Sequence, residues 1–259
     1  MKKVFLSSIF AALLLFSCDY FEYDNYEAPN SGIEGQVVDA KTHELILGEA
    51  ANSYKVEYYE LSWEEAGHTN TQSRFFWGKA DGTFKNSKIF AGEYRITLKE
   101  GAFYAPDPEF VKLEKNKLTQ LNYSVIPYAR VKIDNIEITG SKQNNLTIEY
   151  TIEDTENEIN TENVDADIYS LSESQVFISS KSPNVGITNS ETKYTIRAKK
   201  EFTRGDDYTP GTPFQVRETN VRNLEPGKYW VRIGVRTGNP YKRYNFSSIQ
   251  EITIPEIDE

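Results

Sequence analysis

Ala80-Asp-Gly-Thr-Phe84-Lys-Asn-Ser-Lys-Ile89-Phe-Ala-Gly92-Glu-Tyr94-Arg-Ile96-Thr-Leu98 packs two turn signals and two strand patterns into one short stretch. Asp81-Gly82 is a hairpin-type signal, because glycine reaches positive φ without steric cost. Phe90-Ala-Gly92 is a second turn, after which Tyr94, Ile96 and Leu98 fall on one face of a strand. Working outward, residues 110–113 and Leu121-Asn-Tyr123-Ser-Val125 add two strands downstream. Upstream lie residues 74–79, the run through Tyr54, Val56 and Tyr58, and Ile33, Gly35 and Val37, closed by the turn Asp39-Ala-Lys-Thr-His43. This density of short strands separated by turns predicts a β-sandwich.

Gly35-Gln-Val37-Val-Asp39 with Thr42, then Asp81-Gly82-Thr83-Phe84, then Gly92-Glu-Tyr94, resemble the transthyretin-like, carboxypeptidase-regulatory type of module over about residues 30 to 126. The resemblance implies that the last motif begins a central strand.

Pro127 interrupts the pattern, and residues 128–138 restart it with Val131, Ile133, Ile136 and Ile138. Leu146, Ile148, Tyr150 and Ile152 keep strict period two after the turn Gly140-Ser-Lys-Gln-Asn-Asn145. Further strands are expected at 176–179, 194–199, 215–217 and 249–254, with a short helix within 163–174. Leu224-Glu-Pro226-Gly227-Lys-Tyr229, leading into Val231, Ile233 and Val235, resembles the tyrosine corner of fibronectin type III and immunoglobulin-like sandwiches. That resemblance implies a Tyr229 hydroxyl bonded to backbone near Leu224. The fold class expected is all-β, two sandwiches in tandem.

The head of the chain is of another kind. Lys2 and Lys3 precede a short apolar run, residues 4–15, and Leu15-Phe16-Ser17-Cys18 resembles a bacterial lipobox. The run is shorter than the ~20 residues of a spanning helix. Cys18, the one cysteine, is therefore the expected lipidation site and mature N-terminus, with acylation including palmitate. Asp19, Glu22 and Asp24 follow it, in a tether able to reach ~40 Å. They resemble the acidic signal that sends some lipoproteins to the exterior face of the outer membrane, and they equally suit a solvated linker. The expected divisions are 1–17 signal peptide, 18–31 lipidated cysteine and tether, 32–127 first sandwich and 128–259 second.

The leader holds two of the 29 basic residues, so the mature chain sets 27 against 39 acidic ones, a balance of −12. That excess argues against nucleic acid and against adhesion to anionic lipid. With one cysteine no internal disulfide forms, and stability rests on cores.

Lipobox, acidic tether, transthyretin-like module and fibronectin-like sandwich together resemble a family of Bacteroidota surface lipoproteins without assigned chemistry. Its members are encoded beside starch-utilisation-type glycan transporters. The setting implied is glycan capture and import.

Chemistry is sparse. The two histidines, His43 and His68, lack a second His or a Cys at ligand spacing, so no metal or other cofactor is expected. Glu64-Glu65, Asp165-Ala-Asp167 and Asp206-Asp207 are the densest acid clusters, read as exposed turns, with a calcium loop at Asp165-Ala-Asp167 the alternative. No nucleotide or hydrolase motif occurs.

Aromatic residues carry more. In Arg74-Phe75-Phe76-Trp77 alternation sends Phe75 and Trp77 to one face and Phe76 to the other, so at least one large ring faces outward unless something covers it. Trp63 lies in the Ser-Trp-Glu-Glu-Ala-Gly loop. Trp63, Phe75 and Trp77 are candidate carbohydrate-binding residues, with Tyr241 and Tyr244, beside Phe246, as a second patch. Core or interdomain packing is the alternative for Trp63, Phe75 and Trp77, and for Trp230, and edge packing is the alternative for the second patch. The expectation is a non-enzymatic outer-membrane surface lipoprotein, lipid-anchored and facing the exterior, that binds glycan as an accessory to polysaccharide uptake. The alternative is an assembly lipoprotein that contacts an outer-membrane transporter without touching sugar.

Overall fold

The computed structural model describes residues 27–65, 67, 72–159 and 166–256. Cys18, His68, Asp165 and most of the tether lie outside them.

The first half holds β1 (Ser31–Asp39), β2 (Lys55–Glu60), β3 (Arg74–Trp77), β4 (Thr83–Ile89), β5 (Gly92–Lys99), β6 (Glu109–Leu113) and β7 (Leu118–Val125). They form a sheet β4-β1-β7 facing a sheet β3-β2-β5-β6. Ile33, Val37 and Phe84 meet Val56, Ile96 and Leu98 in the core between them. β1 and β7 run parallel, from Gly32 opposite Leu118 to Asp39 opposite Val125, a pairing that alternation does not encode.

The Asp81-Gly82 turn forms, with Gly82 at φ 81° and the Asp81 carboxylate accepting the Thr83 N–H at 3.0 Å. It does not close a hairpin within one sheet. The Gly82 carbonyl accepts from Val37 N at 2.9 Å, which draws β4 onto β1 while β3 stays on β2, so the turn carries the chain from one sheet to the other.

β7 ends at Val125 and β8 (Ala129–Thr139) begins the second sandwich. With β9 (Asn145–Asp154), β10 (Leu171–Ser179), β11 (Lys199–Glu201), β12 (Phe214–Glu218), β13 (Gly227–Thr237), β14 (Tyr244–Phe246) and β15 (Gln250–Ile254) it forms sheets β12-β9-β8 and β11-β10-β13-β14, with β15 also paired to β13. Leu146, Ile148, Tyr150 and Ile152 all point inward against Val231, Ile233 and Val235. Three short α-helices, α1 (Ser62–Glu65), α2 (Ala166–Tyr169) and α3 (Thr192–Thr195), and a 3-10 turn at Glu156–Glu158 complete the described residues. The strand expected over 194–199 is instead α3 and a short β11. Tyr194, Thr195 and Ala198 are buried together at helical rather than alternate spacing.

Both sandwiches carry the same local lock. The Tyr229 hydroxyl donates to the Glu225 carbonyl at 3.0 Å, one residue past the position expected, and the Tyr94 hydroxyl donates to the Phe90 carbonyl at 3.0 Å. Each tyrosine is nearly fully buried in a Gly-x-Tyr sequence, so a turn four residues upstream is tied to the start of a core strand.

The sandwiches are clasped through polar groups. Arg130 on β8 binds Asp39 through two bonds (2.5 and 2.9 Å) and Glu158 through two more (2.5 and 2.8 Å). Burial alone would raise the Asp39 carboxyl, but the Arg130 guanidinium and the backbone N–H groups of Lys41 and Thr42 together outweigh it and hold it below the usual range. Arg232, 3% exposed, donates to the carbonyls of Ser247 and of Gly48 across the seam, each at 3.0 Å. Glu49 accepts from Ile187 N at 2.9 Å, and Asn245 bridges Ala102 O to Ala129 N.

At the far side of the seam, Tyr104, Tyr128 and Tyr169 form a ring cluster with centroids 4.8 to 5.0 Å apart. Beside it Asp154 is fully buried. Its Oδ1 accepts Glu156 N at 2.8 Å, while Oδ2 and the Tyr104 hydroxyl have no hydrogen-bond partner among the described residues. Burial, with the Glu156 charge adding to it, pushes the Asp154 carboxyl up to about 6.

Two predictions follow from these contacts. Tyr94→Phe and Tyr229→Phe should each lower stability by about 1 to 2 kcal/mol in chemical denaturation, the cost of a lost buried hydrogen bond; unchanged midpoints would dismiss the corners as energetically idle.

A carboxyl whose pKa is higher in the folded than the unfolded state withdraws stability as pH rises between the two values, here from the ordinary 3.8 to about 6. Asp154→Asn keeps the acceptor for Glu156 N and removes the charge. It should add roughly 1 to 3 kcal/mol at pH 8 and almost nothing near pH 4. A loss of stability at pH 8 would contradict this account.

Candidate functional site

Register fixes where the candidate rings point. On β3, Phe76 turns inward against Tyr58 and Phe84, and Phe75 and Trp77 stand on the outer face of the sheet β3-β2-β5-β6. Phe75 is 49% exposed. The two outward rings meet edge to face, 5.8 Å apart with planes at 81°, so they do not form one flat platform. Lys55 lies 4.5 Å above the Phe75 ring and 5.3 Å above Trp77, and Arg243 from the second sandwich lies 5.3 Å from Trp77. Arg243 also donates to the Glu100 carbonyl at 3.0 Å, and Lys55 pairs with the Glu100 carboxylate. Trp77 is thus a seam residue held between two cations, while Phe75 remains open to solvent beside the Lys99–Glu57 ion pair.

Phe110, 67% exposed, stands opposite Arg95 in the pairing of β5 with β6 and shares the outer face. Alternation in Glu109-Phe-Val-Lys-Leu113, with Val111 and Leu113 inward, was the available signal for it. Trp63 falls in α1, and its side chain lies outside the described residues.

The second proposed patch does not survive. Tyr244 is 7% exposed, packs on Phe177 and Phe246, and donates its hydroxyl to Glu173, so it is a core residue; β14 pairs with the central β13 and turns Tyr244 inward. Phe246 is buried with it. Tyr241, in the preceding turn, is 48% exposed and has lost its supposed neighbours. Trp230 is partly buried against the same cluster and donates to Glu251 at 3.2 Å.

His43 occupies the left-handed position of the turn after β1, at φ 61°, with its N–H bonded to Asp39 O. Asp207 closes a turn by accepting Thr203 N at 2.8 Å. Among the described residues no group of three or more His, Asp or Glu is placed to hold a metal ion, and no helix is long and apolar enough to cross a membrane.

One hollow has no signal in the sequence. A cleft of about 700 Å³ opens where the sandwiches meet. Leu45 and Leu47 of the first sandwich line it, together with Phe246, Pro213 and the outward residues of β8 and β9, Arg130, Lys132, Thr151 and Glu153, of the second. Ligand sites favour such junctions and such volumes.

Comparison with known proteins adds the following. Residues 31–126 match the model of the family described as "Protein of unknown function (DUF3823) N-terminal domain", a span that holds the motifs from Gly35 to Tyr94. A crystal structure of a DUF3823 family protein from Bacteroides uniformis ATCC 8492 is similar over 88% of this chain and 100% of that one, with 21% identity and a TM-score of 0.68. A second structure, also from Bacteroides uniformis ATCC 8492 and described as that of "a putative carbohydrate binding protein", is 21% identical over 87% of this chain and 99% of its own, with a TM-score of 0.62. A DUF3823 family protein from Parabacteroides merdae ATCC 43184 covers 88% of this chain and 100% of its own at 18% identity, with a TM-score of 0.60. These likenesses show the fold, two β-sandwiches in tandem. No curated protein matches the chain.

Proposed function

We propose that this protein is a non-enzymatic glycan-binding lipoprotein, anchored through Cys18 to the outer membrane, facing the cell exterior and acting as an accessory to polysaccharide uptake. The observation that carries the binding reading is Phe75. A large ring is kept about half exposed on a sheet face, where the C–H face of a sugar could cover it while hydroxyls reach Glu57, Lys99 and Lys55. The fold shared with the Bacteroides uniformis protein described as "a putative carbohydrate binding protein" points the same way. The anchor rests on the leader and lipobox, and the absence of enzymatic function on the lack of any nucleophile or acid–base motif in the sequence.

One observation favours the assembly reading instead. Lys55 and Arg243 cover Trp77, and Phe110 is the more exposed ring on the same sheet, which suits contact with a protein surface.

The test uses the full chain extracted from membranes and an affinity gel series of polysaccharides. Phe75→Ala should abolish retention with the unfolding midpoint unchanged. Trp77→Ala should lower stability by about 1 to 2 kcal/mol, less than a fully buried tryptophan would cost. Retention by Phe75→Ala equal to that of the parent would remove the outward face from the proposal, and co-purification with a transporter without any glycan retention would favour assembly. In cells, Cys18→Ala should abolish fatty-acid labelling and release the protein from membranes; unchanged labelling would refute the anchor.

A further inference from the structure

The cleft between the sandwiches has walls that cannot move independently. Arg130 ties Asp39 of one sandwich to Glu158 of the other, Lys41 reaches across to Glu153 at 2.6 Å, and Asn245 pins the floor to Ala102. A hollow held open by this many cross-seam bonds is preformed, and a ligand entering it bears little of the ordering cost that weakens flexible sites.

The lining is acidic on balance, with Asp39, Glu44, Asp134 and Glu153 set against Arg130 and Lys132. Asp39 and Glu153 are engaged by Arg130 and Lys41, and Asp134 accepts the Thr151 hydroxyl at 2.6 Å. Of the charged side chains on the lining, Glu44 and Lys132 alone have no ion pair or side-chain hydrogen bond among the described residues, and they are of opposite sign. Such a surface repels an anion, so an acidic sugar is disfavoured and an uncharged one is not. It does offer fixed acceptors, because a carboxylate held by one cation keeps further lone-pair sites open to hydroxyl donors. Leu45, 39% exposed, and Leu47 add apolar surface from the first sandwich, and Pro213 adds it from the second. Fixed carboxylates interspersed with carbon surface complement a molecule with hydroxyl edges and C–H faces.

We propose that the cleft is a second ligand site, separate from the outward face of Phe75, and that it takes a short neutral oligosaccharide. The proposal rests on the reading of the protein as a glycan binder, and deepens it by naming a place and a class.

The experiment probes the purified full chain with a printed array of short oligosaccharides, neutral and uronic-acid-containing, and with a lysine-rich peptide, followed by calorimetric titration of whatever is retained. Leu45→Arg should fill the cleft and Lys132→Ala should remove its free donor; both positions are exposed, so either variant serves if the other fails to fold. The expected result is retention of a neutral oligosaccharide that weakens about tenfold or more in both variants and is unchanged in Phe75→Ala. Parent-like binding by both cleft variants would overturn the assignment. If Phe75→Ala alone lost binding, the outward face would stand and the cleft would fall. Retention only of uronic-acid oligosaccharides or of the peptide would overturn the ligand class, and no retention by the parent chain would remove both sites.

Discussion

Arg232 sits at the centre of this molecule's mechanics. Its guanidinium is withdrawn from water, packed 4.1 Å from the Phe246 ring, and bound to backbone carbonyls. No carboxylate forms an ion pair with it among the described residues. Burial pulls its pKa down to about 10, partly opposed by the charge of Glu49. A buried cation is tolerated only where its donors find acceptors. One of those acceptors, the Gly48 carbonyl, belongs to the other sandwich, so the angle between the two is written into the solvation of a single side chain. Pulling the sandwiches apart would strand that donor, and the clasp of Glu49 on Ile187 would open with it.

This constraint decides where the aromatic residues go. Trp77 lies against Arg243, Tyr104 and Tyr128 lie against Tyr169, and Phe246 lies under Arg232, all at or beside the seam. An aromatic-rich composition is therefore no measure of binding surface here. Once seam and cores have taken their share, Phe75, Phe90, Phe110 and Tyr241 are the large rings left substantially open among the described residues. The cleft has the same origin: polar cross-seam bonds hold the sandwiches at a set separation, and the space beside those bonds stays unfilled.

Period-two alternation made the strands legible, since it depends on each residue's own side of a sheet. Leu146 to Ile152 on β9 and Tyr94 to Leu98 on β5 lie where that pattern puts them. Pairing partners are set by backbone acceptors far away in sequence, as Val37 shows by taking the Gly82 carbonyl, so the parallel β1–β7 ladder and the sheet-to-sheet turn were not readable. Tyr194 and Ala198 failed for the converse reason, because a short helical turn buries polar and apolar residues together and leaves no alternation to see. That Phe75 and Trp77 share one face and Phe76 takes the other was legible; which face turns outward was not, nor was the cation on the Phe75 ring, because Lys55 reaches it across a strand pair. The cleft was wholly hidden, being built from residues as distant in sequence as Leu45 and Pro213.

The proposed anchor and the shallow binding face make sense together in energetic terms. One half-exposed ring with a few surface ion pairs supplies modest affinity, since exposed pairs contribute about 0 to 1 kcal/mol each. A soluble protein with that face would hold a polysaccharide only transiently. Many copies tethered on one membrane meet a repeating polymer at high effective concentration, and successive weak contacts then multiply without any new bond. Rigidity serves that arrangement, because a clasped pair of sandwiches offers its outer face and its cleft at a fixed angle to each other. A chain caught on the face can then enter the cleft only along directions the clasp allows. Loosening the clasp would change which chains are held by both sites, even with every lining residue unaltered.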